Sequence, residues 1–427
     1  MTLEKCIAVL DKALEYSLYG LAFFIPIGIA WVEIFSITAI SSFVLKNILA
    51  KILDAKRGSP ARTSSVSFFT TTNILLLLFF LFCGLSLIHS SPYLSKGLNA
   101  LFGKWGKFIM LFWAASATLG SGNRLRNITL VLMASAGIVA LDAFSQKFLG
   151  SEFLLHRKML DVNYAGHTIF AVTGAFKHPN DFASYLIAAI PLLAGMVAAF
   201  RPSASPAKPI REACFRAGLL TVTLLLMFCL ILTFSRAGWL AFLVAGTLMF
   251  LLLPRKKFFL VLGAVFIILI FALPGVSERA VTTLHSGGDS GRFQLWKGTW
   301  AMIQEHPFLG KGVGTYMDFF QDYVKGRGAM YAHNCYLQMG AEVGAFGLFS
   351  FLMFIGSVLS GGLKTFRQSP WGESAGVLAG LLCGVIAFLV QSGLDTNLYS
   401  LQPSAVFWLF LAMIQAGMRK KYMELST

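Results

Sequence analysis

Charged residues are scarce in this sequence. Asp, Glu, Lys and Arg make up 13% of the 427 residues, whereas a soluble domain carries roughly a quarter. Hydrophobic residues account for 56%, and the mean hydropathy is +0.72. The 40 Phe residues and the long apolar runs also argue against a disordered chain. The composition therefore predicts an all-α polytopic membrane protein, with residues 1–427 forming a single transmembrane domain.

Paired cysteines, acidic metal clamps and phosphate loops are also missing. The six cysteines have no paired spacing and most lie in apolar runs, which argues against a disulfide framework or a zinc site. No Asp-x-Asp sequence occurs, so the usual metal clamp for a nucleotide-sugar donor is absent. No Gly-rich phosphate-binding loop stands out either. We therefore expect neither a metal nor a cofactor.

The apolar runs are long enough to be membrane-spanning helices, which need about 20 residues. Their spacing predicts about twelve spans, of which the first two are separated by a very short turn at Trp31 to Glu33. The predicted spans lie near residues 16–31, 33–50, 70–89, 107–120, 127–147, 180–200, 217–234, 237–253, 258–274, 339–363, 374–394 and 403–418.

The net charge of +16 is explained by topology rather than by nucleic acid binding. Lys and Arg accumulate in the cytoplasmic loops of membrane proteins. With the N-terminus inside, most of the 35 basic residues fall in short cytoplasmic segments, and the even number of spans also places the C-terminus inside. This orientation predicts two long loops on the outer side of the membrane, at residues 150–180 and 274–338.

The second long loop carries helix-like amphipathic stretches at 293–303 and 316–324. Loops of this length inside compact proteins are usually functional. Arg292 opens the first stretch, after the capping candidates Asp289 and Ser290. An arginine at a helix N-terminus is more tolerable if an anion binds there. The alternative is a solvated arginine paired with Asp289.

Three further groups lie near the predicted outer face. Arg236 separates two apolar runs, where a charge normally has a partner or a ligand, or else reaches the headgroups. His333 precedes span ten and has a side chain suited to proton transfer, although it could also belong to an aromatic belt. Lys107 opens span four, where it could add positive field or simply reach the lipid headgroups. Two arginines and one histidine at this surface suit a lipid-linked pyrophosphate and a base.

These residues lie in motifs that resemble those of the O-antigen ligases. His333 and Asn334, followed by nine residues, Gly344, two residues and Gly347, fit the family pattern H-[NSQ]-x9-G-x-x-G. The segment 233–238 is similar to the Ser/Thr-Arg turn of the wider ligase and polymerase family. The segments 290–292 and 306–314 resemble the stretch that contains its second arginine.

The resemblance implies a bacterial inner-membrane glycosyltransferase of the GT-C type that acts in lipopolysaccharide biosynthesis, with its two long outer loops in the periplasm. Such ligases transfer a glycan from undecaprenyl pyrophosphate to lipid A-core at the periplasmic face, without metal or ATP. By the resemblance, Arg236 and Arg292 bind the pyrophosphate and His333 is the catalytic base. Lys107 matches more loosely, and Asn334 is a possible additional site residue.

Three other functions are compatible with parts of this pattern. An O-antigen polymerase needs the same arginines, although the spacing of Gly344 and Gly347 and the modest length favour the ligase. Protein O-oligosaccharyltransferases commonly carry an added C-terminal region, which ranks them lower. A transporter of anionic solutes would place charges in the middle of its spans, and here the spans contain almost none.

Overall fold

A computed structural model describes residues 2–57, 70–164, 167–200, 209–273, 275–278, 281, 290–324 and 330–426. Twelve helical stretches correspond to the twelve predicted spans. They are α1 (Leu3–Phe24), α2 (Ile29–Lys56), α3 (Thr71–Ser86), α5 (Lys107–Leu119), α6 (Arg124–Leu149), α7 (Pro179–Ala199), α8 (Pro209–Leu232), α9 (Arg236–Leu252), α10 (Lys256–Ala272), α13 (Cys335–Gln368), α14 (Glu373–Ser392) and α15 (Leu401–Ser426).

Within the described ranges, eight of these helices have both the length and the apolar composition needed to cross a membrane. They are α2, α3, α6, α7, α8, α13, α14 and α15, and α9 is a shorter apolar helix. The chain is therefore an all-α polytopic membrane protein, as its composition predicts.

The connecting segments add shorter elements. A helix α4 (Leu94–Ala100) continues through a π-helical turn at Leu101–Gly106 into α5. The strands β1 (Leu160–Tyr164) and β2 (His167–Ala171) form an antiparallel hairpin in the first long loop. The amphipathic stretches of the second long loop form α11 (Ser290–Glu305) and α12 (Tyr316–Tyr323). Asp289, a predicted cap of α11, lies outside the described residues.

Close packing of α14 against α7 forms the centre of the bundle. Gly376, Gly380 and Gly384 lie one helical turn apart on α14 and face the backbone of α7. A Cβ atom on Gly376 would lie 2.5 Å from the carbonyl oxygen of Gly195, so a larger residue there would push the helices apart. Small residues at such spacing are typical of membrane helices in close contact. The contact fixes the segments that follow α14 and precede α7.

A break in α13 receives part of the second long loop. Gly344 has φ 67° and ψ −174° inside this helix, a conformation that favours glycine. The main chain of residues 307–312 pairs with the break, because Ala345 N–H donates to the Pro307 carbonyl (2.8 Å) and Lys311 N–H donates to the Ala341 carbonyl (2.8 Å). The Gly344 of the motif therefore serves the docking of this loop.

The helices of the second long loop form a separate layer over one end of the bundle. Their apolar side chains make their own cluster, which includes Leu295, Met302, Tyr316 and Phe320 and reaches Ala341 of α13. We call this the loop end of the bundle, because the described residues of both long loops lie there. The candidate site residues come from segments at this end, and the segment before Lys107 reaches the second long loop through the pairing of Lys96 with Asp318.

Candidate functional site

His333 lies directly before α13 in a constrained conformation. Its φ of 48° is uncommon for a residue other than glycine. Asn334 caps the helix, since its Oδ1 accepts the backbone N–H groups of Tyr336 and Leu337, both at 3.0 Å. In this structure Asn334 therefore orients the start of α13 and the residue before it.

His333 is hydrogen-bonded to a carboxylate that follows α14. The distance from His333 Nδ1 to Asp395 Oδ1 is 3.2 Å. Asp395 is almost fully buried, with 8% of its side chain exposed, whereas 32% of the His333 side chain is exposed. A carboxylate at Nδ1 holds the proton on that nitrogen and leaves the lone pair of Nε2 available as a base.

The segment that carries Asp395 is tightly fixed, and we call residues 394–399 the Asp395 turn. Cys335 Sγ donates to the Asp395 carbonyl (3.2 Å). Ser392 Oγ donates to Asn397 Oδ1 (2.7 Å), and Asn397 Nδ2 donates to the Phe388 carbonyl (3.3 Å). Because polar groups on both sides of the turn are bonded, Asp395 presents its carboxylate in one position.

Arg292 reaches the same turn from the second long loop. Its guanidinium donates to the Leu394 carbonyl at 2.8 Å, one residue before Asp395. The indole of Trp296, one helical turn later in α11, donates to the Ala332 carbonyl at 3.0 Å. The two bonds place Arg292 and His333 on adjacent parts of one local structure, although 41 positions separate them in the sequence.

Arg236 begins α9, at a turn that α7 supports. Phe234 has φ 53°, and Ser235 Oγ caps the helix by accepting the Gly238 N–H (3.3 Å). A Cβ on Gly238 would lie only 3.0 Å from the Cβ of Ala183 in α7. Arg236 is therefore at the loop end, beside the first turns of α7.

A second histidine, His178, caps α7 at this end. Its Nδ1 accepts the Asn180 N–H at 3.2 Å, and Gln391 of α14 donates to the Asn180 carbonyl (3.2 Å). Burial lowers the pKa of His178, the nearby His333 lowers it further, and Asp395 opposes the shift. Because Nδ1 accepts a backbone N–H group, the imidazole of His178 carries its proton on Nε2. In the sequence it looks only like a helix start.

Lys107 is paired with a carboxylate that does not contact His333 or the Asp395 turn. Its ammonium group is 2.6 Å from Glu33 of α2, and both residues line a groove of about 650 Å³ between α2, α3 and α5. Lys104, one turn earlier, instead donates to the Tyr399 carbonyl in the Asp395 turn (3.3 Å). The loosely matched Lys107 is thus less closely connected to His333 than its neighbour Lys104.

Asp395 and Tyr399 are the residues that sequence reasoning missed. Asp395 is a lone acidic residue at the end of an apolar run, and that isolation is the only signal that the sequence gives. Its partner His333 is 62 positions away, and no spacing rule connects them. The Asp395 turn becomes recognisable only when α13 and α14 are packed side by side.

The described helices and this cluster of charged and titratable groups define a multi-pass membrane protein with a polar site at one end of its bundle. Residues 221–352 match the family model described as O-antigen ligase. This region runs from α8 into α13 and contains Arg236, Arg292 and His333, and it is consistent with a member of the O-antigen ligase family. The family implies a glycosyltransferase-like ligase or polymerase activity on lipid-linked glycans. No curated protein matches the chain.

Proposed function

We propose that this protein is an O-antigen ligase. It transfers a glycan from undecaprenyl pyrophosphate to a sugar hydroxyl of lipid A-core, at the periplasmic face of the bacterial inner membrane. The observation that carries the proposal is the His333–Asp395 pair with Arg292 bonded to the same turn. These groups supply a general base and a cation beside one another, and such transfer needs both.

His333 is the general base for the acceptor. A sugar hydroxyl is a poor nucleophile, and removal of its proton by a positioned base contributes about 10²–10⁴-fold in rate. Nε2 accepts the proton while Asp395 stabilises the resulting imidazolium through Nδ1. Direct attack at the anomeric carbon of the donor forms the new glycosidic bond and inverts the configuration of that carbon.

Arg236 and Arg292 bind the pyrophosphate of the donor. Undecaprenyl pyrophosphate leaves with developing negative charge, and guanidinium groups stabilise that charge without a proton transfer. Arg236 is also the first residue of α9, where the helix dipole favours an anion. The mechanism uses no metal, so we expect EDTA to leave the rate unchanged.

The layer formed by α11 and α12 shields the reacting groups from water, which would otherwise hydrolyse the donor. Its own apolar cluster and its docking into the α13 break give the layer a fixed position. With both termini in the cytoplasm, as the distribution of basic residues predicts, this layer and the site face the periplasm. The architecture is then that of a GT-C glycosyltransferase.

Reconstitution with purified lipid-linked glycan and lipid A-core tests the proposal. A ligase joins one glycan to one acceptor, so the product mass should equal the sum of the two without the undecaprenyl pyrophosphate. An O-antigen polymerase would instead lengthen the lipid-linked glycan in the absence of lipid A-core. Formation of that longer product alone would contradict the ligase assignment.

A further inference from the structure

A buried carboxyl group lies at the break of α13. Glu342 is 1% exposed, and burial of such a group is unfavourable unless hydrogen bonds compensate for the lost water. Its Oε2 accepts the Gly314 N–H (3.0 Å) and the Tyr399 hydroxyl (3.3 Å), and its Oε1 accepts the Gln338 side-chain amide (3.3 Å). Three donors therefore hold this side chain in one orientation.

Those donors come from three different parts of the molecule. Gly314 belongs to the second long loop, Gln338 to the first turns of α13 and Tyr399 to the Asp395 turn. The main chain of Glu342 adds another connection, because its carbonyl accepts the Gly312 N–H at 3.0 Å. Glu342 is thus the residue at which the docked loop, the helix that follows His333 and the turn that carries Asp395 meet.

Lys104 supports the same turn from the opposite side. Its Nζ donates to the Tyr399 carbonyl (3.3 Å) and lies 4.1 Å from the centre of the Tyr399 ring. A cation over an aromatic face is attracted to it, more strongly where water is excluded. Tyr399 is therefore held at its hydroxyl by Glu342 and at its ring and carbonyl by Lys104.

We propose that Glu342 is a positioning residue that acts on His333 through Tyr399 and Asp395. The bond from Tyr399 to Glu342 adds to the bonds that fix the Asp395 turn, and the Asp395 carboxylate in turn orients the imidazole. This inference rests on the proposed role of His333 as the base. Loss of the outer hydrogen-bond partner of a metal-bound histidine costs about 10–100-fold in activity, and we expect a loss of the same order here, in kcat and with little change in KM.

The variants Glu342→Gln and Tyr399→Phe test the proposal in the full-length, reconstituted protein. Glu305→Gln is the matched control, because Glu305 also bonds within the second long loop, to Lys311 at 2.7 Å, but makes no bond to the Asp395 turn. We expect kcat to fall by about 10–100-fold in the two test variants and to stay within about twofold in the control. Unchanged kcat in Tyr399→Phe would overturn the proposal.

A double-variant comparison of Tyr399 with Asp395 distinguishes a positioning role of Tyr399 from a general loss of structure. Residues that act through one another are not additive, so Tyr399→Phe should change kcat by less than about twofold in an Asp395→Asn background. If the fold losses in kcat of the two single variants multiply in the double variant, Tyr399 acts independently of Asp395 and the proposal is wrong. Tyr399→Phe removes one hydroxyl, so this comparison remains available if Glu342→Gln does not fold.

A readout that needs no catalysis uses Cys335, which is fully buried and donates to the Asp395 carbonyl. In a chain whose other five cysteines are replaced by alanine, N-ethylmaleimide should label Cys335 faster in Glu342→Gln and Tyr399→Phe than in Glu305→Gln. Equal labelling rates would overturn the positioning role, whatever the activity. If labelling speeds up but His333→Asn keeps normal ligation, the base assignment fails while the effect on the turn stands.

Discussion

The two long loops at the same end of the bundle are held in different ways. In the first loop, side chains of α6 bond to the loop backbone. Asp142 Oδ1 accepts the N–H groups of Phe153 (2.9 Å) and Leu154 (3.0 Å), and Gln146 Oε1 accepts those of Thr173 (2.8 Å) and Gly174 (3.0 Å). These side chains serve the shape of the loop itself.

The second loop also docks through main-chain pairing with a helix, in addition to side-chain bonds such as that from Gly314 N–H to Glu342. Residues 307–312 pair with the break in α13, so the polar side chains of the neighbouring segments are available for other contacts. Arg292 and His333 both bond to the Asp395 turn. Both carboxylates accept backbone N–H groups, but Asp395 also bonds to the partly exposed imidazole of His333, and this imidazole contact is what indicates chemistry.

The largest expected effect is a difference in transfer rate between variants of two histidines, one in each long loop. His333 and His156 both have positive φ, 48° and 55°, a conformation that asparagine tolerates. His333→Asn should lower the rate of glycan transfer by about 10²–10⁴-fold because the base is lost. His156→Asn should remain near normal in the same ligation assay. Near-normal transfer by His333→Asn in correctly inserted protein would refute the base role.

Arginine substitutions should give the next largest effect. Arg236→Lys and Arg292→Lys keep the charge but lose the planar fork that matches phosphate oxygens. We expect transfer to fall by about 10–100-fold with weaker donor binding, since one charge-assisted contact is worth about 1.5–3 kcal/mol. Arg157→Lys is the control, because Arg157 bonds the Ala175 carbonyl (2.8 Å) in the first loop. Unchanged donor affinity in both test variants would remove the pyrophosphate role.

In the first loop, a substitution should affect stability and leave catalysis intact. Gln146→Leu removes the acceptor of two buried N–H groups, at Thr173 and Gly174. Each unsatisfied group costs about 1–3 kcal/mol. Thermal unfolding in detergent should therefore occur at a lower temperature, while kcat of the folded protein stays within about twofold. A selective loss of kcat would show that this loop also belongs to the site.

The smallest effect concerns pH. The pKa of His178 in the folded protein is below its ordinary value of 6.5, so its contribution to stability is present above pH 6.5 and is lost as pH falls through the lower, folded value. Wild-type protein should therefore lose stability on acidification more than His178→Gln. Parallel melting curves from pH 7 to 5 would measure the difference, and identical pH dependence would contradict the lowered pKa of His178.

The apolar runs predicted where the helices lie because hydrophobic length is a strong signal, and eight of the described helices are long and apolar enough to cross a membrane. The predicted turn at Trp31 to Glu33 was wrong, because α2 begins at Ile29 and runs through these residues. The first predicted span starts near residue 16, whereas α1, the helix that overlaps it, begins at Leu3. The charges on this helix concealed it, since Asp11 is paired with Lys46 and Arg124, and Glu15 is paired with Arg124. Hydropathy counts such residues as polar, although their charges are neutralised between packed helices.

The candidate site was predicted only in part, since a motif identifies residues and does not give their partners. His333, Arg292 and Arg236 do lie at one end of the bundle, and their roles stay predictions. Asp395 pairs with His333 only through the packing of α13 and α14. Gly344 of the motif adopts the conformation that breaks α13 and lets the second loop dock there. The spacing of residues in the sequence does not reveal this role.

The rates of His333→Asn, Asp395→Asn and the double variant test the central claim most directly. All three are measured as initial transfer rates from lipid-linked glycan to lipid A-core in reconstituted membranes. If the two residues form one catalytic pair, Asp395→Asn slows transfer and the double variant is no slower than His333→Asn alone. A double variant slowed by the product of the two single losses would show that the residues act separately and would contradict the account.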